Sequence, residues 1–400
     1  MRNKIPLFIS LISFITIQLT AQQVSWQKMA SFPGAGRNHA IAFSHGTKGY
    51  CMTGVGAANY KDFYEYNSLT NSWTKLPDYP GQIRSYGLGF VIGDKAYIGL
   101  GHTTGHAMLK DWWEYDFGTS TWTQKKNFPG PGRDHPTCYS MNDKIYMGFG
   151  DDNQSVNYKD WWEYNPASDT WTQKTSYPGL TMHHPVAAAY NNIVYVIGGH
   201  VMSSGSNYAS KATYAYNTLT DTWKKVADMP GNVGKVAGTA FTLGNQIFSG
   251  MGIEEPVEVF HNEYFQYDIA TDKWTSIADY PGKGTFAAVS FTIGTDGYVV
   301  TGADANNNQY QDLYRLHYTP VSGIEETTNL EFNIYPNPVT NAFKIQNEEK
   351  NISFELYNTT GCLLGSYIKN DDVLNVDMSN FPNGIYLIRS EKVTKKIIKR

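Results

Sequence analysis

Cysteine is scarce. Three residues in 400, Cys51, Cys138 and Cys362, make neither a disulfide framework nor a metal-type Cys spacing, so a chain of this length relies on its core. Charge is thin as well. Asp, Glu, Lys and Arg make up 17% of the chain and the net charge is −4, which gives no electrostatic case for nucleic acid or an anionic membrane. Beyond the first 21 residues no apolar run is long enough to cross a bilayer, so no transmembrane segment is expected after processing. Nucleophile elbow, phosphate loop and paired-carboxylate signatures are missing too.

What the chain has in quantity is aromatic residues and glycine: 29 Tyr, 10 Trp and 37 Gly, with 41% hydrophobic residues. That balance suits strands joined by many turns. The opening segment is different. Arg2 and Lys4 precede an apolar run from Ile5 to Ile17, and a polar chain begins after Ala21. This is the layout of a secretory signal peptide, residues 1–21, with cleavage near Ala21 and no lipoprotein cysteine there.

One tryptophan recurs at intervals of about fifty residues: Trp26, Trp73, Trp122, Trp171, Trp223 and Trp274. Seven residues after each stands Pro-Gly, at Pro33, Pro80, Pro129, Pro178, Pro230 and Pro281. Such a period marks a β-propeller. Tyr66, Tyr115, Tyr164, Tyr216 and Tyr267 precede their tryptophans by seven residues. An aromatic stands four before a glycine in Tyr50/Gly54, Tyr97/Gly101, Tyr146/Gly150, Tyr195/Gly199, Phe248/Gly252 and Tyr298/Gly302. Period-two alternation, as in Asp111-Trp-Trp-Glu-Tyr115, places one aromatic set on each strand face. Four strands per unit follow, A to D. The last unit lacks its tryptophan and the first tryptophan lacks a unit, so Trp26 supplies strand D of the sixth blade. The Tyr-x3-Gly, Tyr-x6-Trp and Trp-x6-Pro-Gly spacings resemble kelch repeats. The family's paired glycines stand intact only at Gly198-Gly199. The resemblance implies an all-β fold with a six-bladed kelch propeller over residues 22–318.

After a hinge at 319–331 the pattern changes. Short alternating segments such as Phe343-Lys-Ile and Phe354-Glu-Leu-Tyr357 are separated by turns at Thr360-Gly361 and Pro382-Asn-Gly384, which predicts a small C-terminal β-sandwich over 332–400. Tyr335-Pro-Asn-Pro338, Leu356-Tyr-Asn-Thr-Thr-Gly361, Val376-Asp-Met-Ser-Asn380, Asn383-Gly-Ile-Tyr386 and the basic Lys395-Lys-Ile-Ile-Lys399 resemble the type A C-terminal sorting domain of type IX secretion. That resemblance implies export across the outer membrane of a Gram-negative bacterium by the type IX machinery, then secretion or surface attachment. It leaves function to the propeller.

Candidate site residues come from loops that share one face of the propeller. Three positions past Pro-Gly stand Arg37, Arg84, Arg133, Met182, Gly234 and Thr285; two further on stand His39, Tyr86, His135, His184, Val236 and Ala287. Directly after the strand-B glycine stand Val55, His102, Asp151, His200, Ile253 and Ala303. The rows are polar in blades one to four and bland in five and six, which points to an offset pocket. The candidate ligand-binding set is Arg37, His39, Arg84, Tyr86, His102, Arg133, His135, Asp151, His184 and His200. For the arginines a structural role, with Asp62, Asp111 and Asp160 as partners, stays open beside a ligand role. Imidazole and carboxylate in this set suit zinc or copper, but no local motif forces convergence, so no metal and no cofactor are expected. A copper-radical oxidase, which shares the fold, needs a Cys–Tyr pair that Cys51 and Cys138 do not provide. The leading expectation is a non-catalytic binding module for a glycan or a protein, with Trp112, Trp161 and Tyr158 available to stack on sugar rings. The alternative is a carbohydrate isomerase or epimerase, resembling kelch-type sialic acid epimerases, in which Glu254 or Glu255 moves protons and the arginines hold a sugar carboxylate.

Overall fold

The computed structural model describes residues 23–319 and 332–400, save positions 153, 155, 204, 232–233, 347–349, 351, 359–362 and 391–393. The signal segment lies outside the described residues. The chain divides into two compact units after residue 321, and strands dominate both.

The first unit is a ring of six four-stranded antiparallel blades. Blade one runs Ile41–His45, Lys48–Met52, Phe63–Asn67 and Ser72–Leu76, hydrogen-bonded in that order. The pattern repeats from Leu88, Thr137, Val186 and Thr239. Blade six takes Val289–Ile293, Asp296–Val300 and Leu313–Thr319, and its outermost strand is Gln23–Lys28 from the other end of the chain. Trp26 stands directly opposite Leu316, as the orphaned tryptophan predicted. Pairing the first and last segments ties the ring shut.

The recurring tryptophan holds blade to blade. Trp73 Nε1 donates to Ala30 O at 2.9 Å, Trp171 to Lys126 O, Trp223 to Thr175 O, Trp274 to Ala227 O and Trp26 to Ala278 O. Each acceptor lies four residues past the tryptophan of the preceding blade. The amide at that same position donates to a carboxylate or amide oxygen two before the next tryptophan, as in Thr175 to Asp221 and Ala227 to Asp272. Tyr216 and Tyr267 donate their hydroxyls to the same two carboxylates. At the junction of blades one and two this clasp is missing. Proline stands at 77, where it has no amide to offer, Ser120 replaces the carboxylate, and Trp122 Nε1 has no partner.

The first strands of all six blades surround an axial cavity of about 270 Å³, lined by Ala42, Val91, Tyr139, Ala187, Ala240 and Ser290. The glycine ending strand B meets two demands. Gly101 has φ +79°, and a Cβ there would sit 2.2 Å from Ser85 O.

The second unit packs Asn333–Tyr335, Ala342–Gln346 and Val373–Asp377 as one sheet. A second sheet holds Leu363–Lys369, Ile352–Asn358, Gly384–Arg389 and Thr394–Lys399. Phe343, Phe354, Leu356, Val376, Ile388 and Ile397 are fully buried in their shared core. Lys399, in the basic tail, is nearly buried and donates to Thr340 O.

Candidate functional site

Six residues, one per blade, close a hydrogen-bonded ring around the propeller axis. His39 N–H donates to Ala287 O at 3.0 Å, Tyr86 to His39 O, His135 to Tyr86 O, His184 to His135 O, Ala237 to His184 O, and Ala287 to Ala237 O. All six are in the left-handed region, with φ between 46° and 61°. Each immediately precedes the strand that lines the axial cavity, so the ring closes one end of it. In blade five the ring residue is Ala237, where the sequence reading placed Val236. One extra residue after Gly231 shifts the register, so Lys235 and not Gly234 occupies the arginine position.

The residue before each ring member bridges the residue after the strand-B glycine. The pairs are Asn38 with Val55, Ser85 with His102, Asp134 with Asp151, His183 with His200, Val236 with Ile253, and Phe286 with Ala303. The two loop rows therefore do share one rim. Directly opposed residues in an antiparallel pair lie side by side, so the backbone register itself brings these side chains together.

The arginines are a correction to the ligand-binding set. Arg37, Arg84 and Arg133 are fully buried. Arg133 grips both oxygens of Asp160 at 2.6 and 2.9 Å and also donates to Phe149 O, while its guanidinium lies over the rings of Phe128 and Tyr158. Arg37 holds Asp62 in the same way, and Arg84 holds Asp111 and the Tyr79 hydroxyl. Burial pushes the Asp111 carboxyl up, and Arg84 outweighs it, leaving the group below its ordinary value. With their donors engaged, these arginines hold no sugar carboxylate, and the clamp that the epimerase reading requires is missing. Trp112 and Trp161 are likewise fully buried against the next blade, Trp161 edge-on to Trp223 at 5.3 Å. They offer no stacking surface. Cys51 and Cys138 are free thiols.

The seven other candidates come together. His39 stacks on Tyr86 with centroids 3.7 Å apart, and Tyr86 stacks on His102. His39 Nε2 lies 3.1 Å from His184 Nε2, and His135 Nδ1 lies 2.8 Å from Asp151. Burial, reinforced by neighbouring histidines, holds His39, His135 and His184 well below the ordinary histidine value, so they are neutral at pH 7. Burial and then the nearby Asp134 and Asp151 push the Tyr86 phenol up to about 12. Burial also raises Asp134 and Asp151 against the pull of neighbouring histidines. Residues that the sequence reading passed over complete the arc. Asp134 bonds His102 Nδ1 at 2.6 Å, His183 bonds Asn157, and His200 bonds Asn207. Asp134 and His183 sit in the row between the two that were picked, and that adjacency was the available signal.

Blades five and six line the other side with Val236, Ile253, Phe260 and Phe286. The bowl is thus polar on one arc and apolar on the other. Two hairpins raise its rim. One, in blade four, pairs His200–Ser203 with Ser206–Ala209; the other extends blade five through Gln246–Glu254 and Val259–Asp268. Glu255, at the tip of the second, reaches the His200 ring, while Glu254 lies 3.9 Å from His261.

A family model described as the Attractin/LZTR1 beta-propeller matches residues 48–313. The chain belongs to that propeller family. In this Attractin/LZTR1-type propeller the match spans the whole run from strand B of blade one to strand C of blade six. Residues 333–400 match a secretion system C-terminal sorting domain, so the propeller is a cargo of type IX secretion, bound for the cell surface or the medium. Among curated proteins none matches. The solved structure titled "Structure of YjhT" resembles the chain with a TM-score of 0.61 at 13% sequence identity, covering 73% of this chain and 99% of that one. At that identity the likeness is one of fold.

Proposed function

We propose that the exported propeller is a binding module whose bowl, on the face carrying the histidine ring, takes a glycan. The observation that carries this reading is the split lining under a raised rim. Sugars present apolar C–H faces and hydroxyl edges. The bowl offers the partly exposed faces of Tyr86, Phe260 and Phe286 beside neutral imidazoles and carboxylates that donate and accept hydrogen bonds. At the rim Tyr208 is 46% exposed, an aromatic ring with no packing role to account for it. The sorting domain directs export to the outer-membrane surface or beyond, where glycans are the abundant ligands of that chemistry.

The purified protein on a glycan array should bind a restricted set of glycans. Tyr208→Ala should weaken binding about tenfold or more, at roughly 1–3 kcal/mol for a stacking aromatic. Leu69→Ala, in an outer turn and 79% exposed, should change nothing. Binding insensitive to Tyr208 and Phe286, or capture of a protein ligand on the same face with no glycan bound, would overturn the glycan reading. So would proton NMR showing that the protein interconverts sugar anomers or epimers, because that is catalysis.

A further inference from the structure

We infer that His183, His200 and Glu255 form a binding site for one zinc-class divalent cation at the junction of blades four and five. His183 and His200 are direct partners across the short antiparallel pair of Met182–His183 and His200–Ser203. Each ring has its far nitrogen fixed by a side-chain amide oxygen: His183 Nδ1 lies 2.6 Å from Asn157 Oδ1, and His200 Nε2 lies 2.7 Å from Asn207 Oδ1. Donation of those N–H groups leaves the lone pairs on His183 Nε2 and His200 Nδ1, which face each other at 3.2 Å. Two tetrahedral Zn–N bonds of about 2.0–2.1 Å span roughly 3.3 Å between nitrogens. Glu255 brings a carboxylate oxygen to the same point from the next blade, and all three ligand atoms lie within 4.8 Å of one another.

The Glu255 segment is held by its own carbonyl, which accepts from Ala209 N–H on the blade-four hairpin at 3.0 Å. Two imidazoles and one carboxylate match the donor set of zinc sites that keep a fourth position open. The paired outer amides match the hydrogen bonds that orient metal-bound histidines. The carboxylate partly neutralises a dication in a site where both histidines are buried.

Two neighbouring groups are weaker candidates. His39, His135 and His184 contain no carboxylate, and the His135 and His184 rings lie face against face with centroids 3.4 Å apart. In the group of His102, His106 and Asp134, the carboxylate is already engaged with His102 Nδ1.

The protein, stripped with chelator and dialysed, is titrated with Zn²⁺ by calorimetry at pH 7.5. One ion per chain with micromolar or tighter affinity is expected. His200→Ala should abolish binding, and Glu255→Gln should weaken it at least about tenfold. Asn207→Leu, at an exposed position, should weaken it ~10–100-fold through ring orientation alone. His39→Gln should leave it unchanged. Anomalous diffraction from zinc-soaked wild-type crystals gives a reading that does not depend on any variant folding; it should place one peak between His183 Nε2, His200 Nδ1 and Glu255. Absence of stoichiometric binding, binding that survives His200→Ala, or a peak on the axial histidines would each overturn the inference. No glycan enters these measurements, so their failure is separable from failure of the proposed function.

Discussion

Blades one to four and blades five and six carry the same rim backbone with different side chains upon it. Ala237 and Ala287 adopt the same left-handed conformation as His39, Tyr86, His135 and His184, and make the same ring hydrogen bonds. Alanine suffices for the backbone, so the imidazoles and the phenol are not there to shape it. The arginine position gives the opposite lesson. Arg37, Arg84 and Arg133 each fill one repeated slot with one repeated partner, and blade five substitutes Lys235 with Glu263. A residue that repeats with its partner serves the architecture; a residue that varies over a constant backbone is free to serve a ligand.

The comparison can be broken at several points. The largest effect is expected from deleting residues 22–32, which removes the outer strand of blade six together with the Trp26 clasp. Ring closure should be lost, and cooperative thermal unfolding with it. A truncated protein with an unchanged melting temperature would refute the closure argument. Next comes Arg133→Ala. It strands the Asp160 carboxylate, only 18% exposed, and should cost about 3–5 kcal/mol by denaturant titration. A loss under 1 kcal/mol would mean that the arginine row is not architectural.

The ring histidines test the other half through pH. In the folded chain His39, facing Tyr86, His135, His184 and Phe286, stays neutral below its ordinary value of 6.5. The unfolded chain takes up that proton, so stability is full above this value and falls as pH drops below it, by about 1.4 kcal/mol per pH unit for one such group. His39→Gln should remove one proton's worth of that slope between pH 6.5 and 5 while leaving stability at pH 8 within about 1 kcal/mol, because the ring tolerates alanine elsewhere. A slope unchanged by the substitution would place the acid sensitivity in other groups. The smallest effect should come from Lys235→Ala. Its partner Glu263 is 49% exposed, so water takes over the carboxylate and the loss should be roughly 0.2–1 kcal/mol.

Most of the ring was legible in the chain because its cause is local and repeated. The Trp-x6-Pro-Gly spacing marks strand D and the following turn, and the unmatched Trp26 announced the closure. Less of the site was legible. The shared rim followed from blade topology, but whether Arg37 faces a ligand or Asp62 depends on χ angles and burial, to which spacing is blind. Trp112 and Trp161 look in the sequence like sugar platforms, and the convergence of neighbouring blades covers them. The single extra residue after Gly231 moved the blade-five register and concealed Lys235. His183 and Asn157 drew no notice because their significance lies in partners 17 and 26 residues away.

Period, strand alternation, the address at each end and the count of six blades were written in the sequence, since hydrophobic alternation and turn chemistry act between near neighbours along the chain. Only the tertiary structure decided which polar residues are used up in holding the ring together and which remain open at its axis. Closing the ring brings residues from separate blades within hydrogen-bond distance, and burial then fixes their charge, two effects that depend on the folded neighbourhood and not on position in the chain.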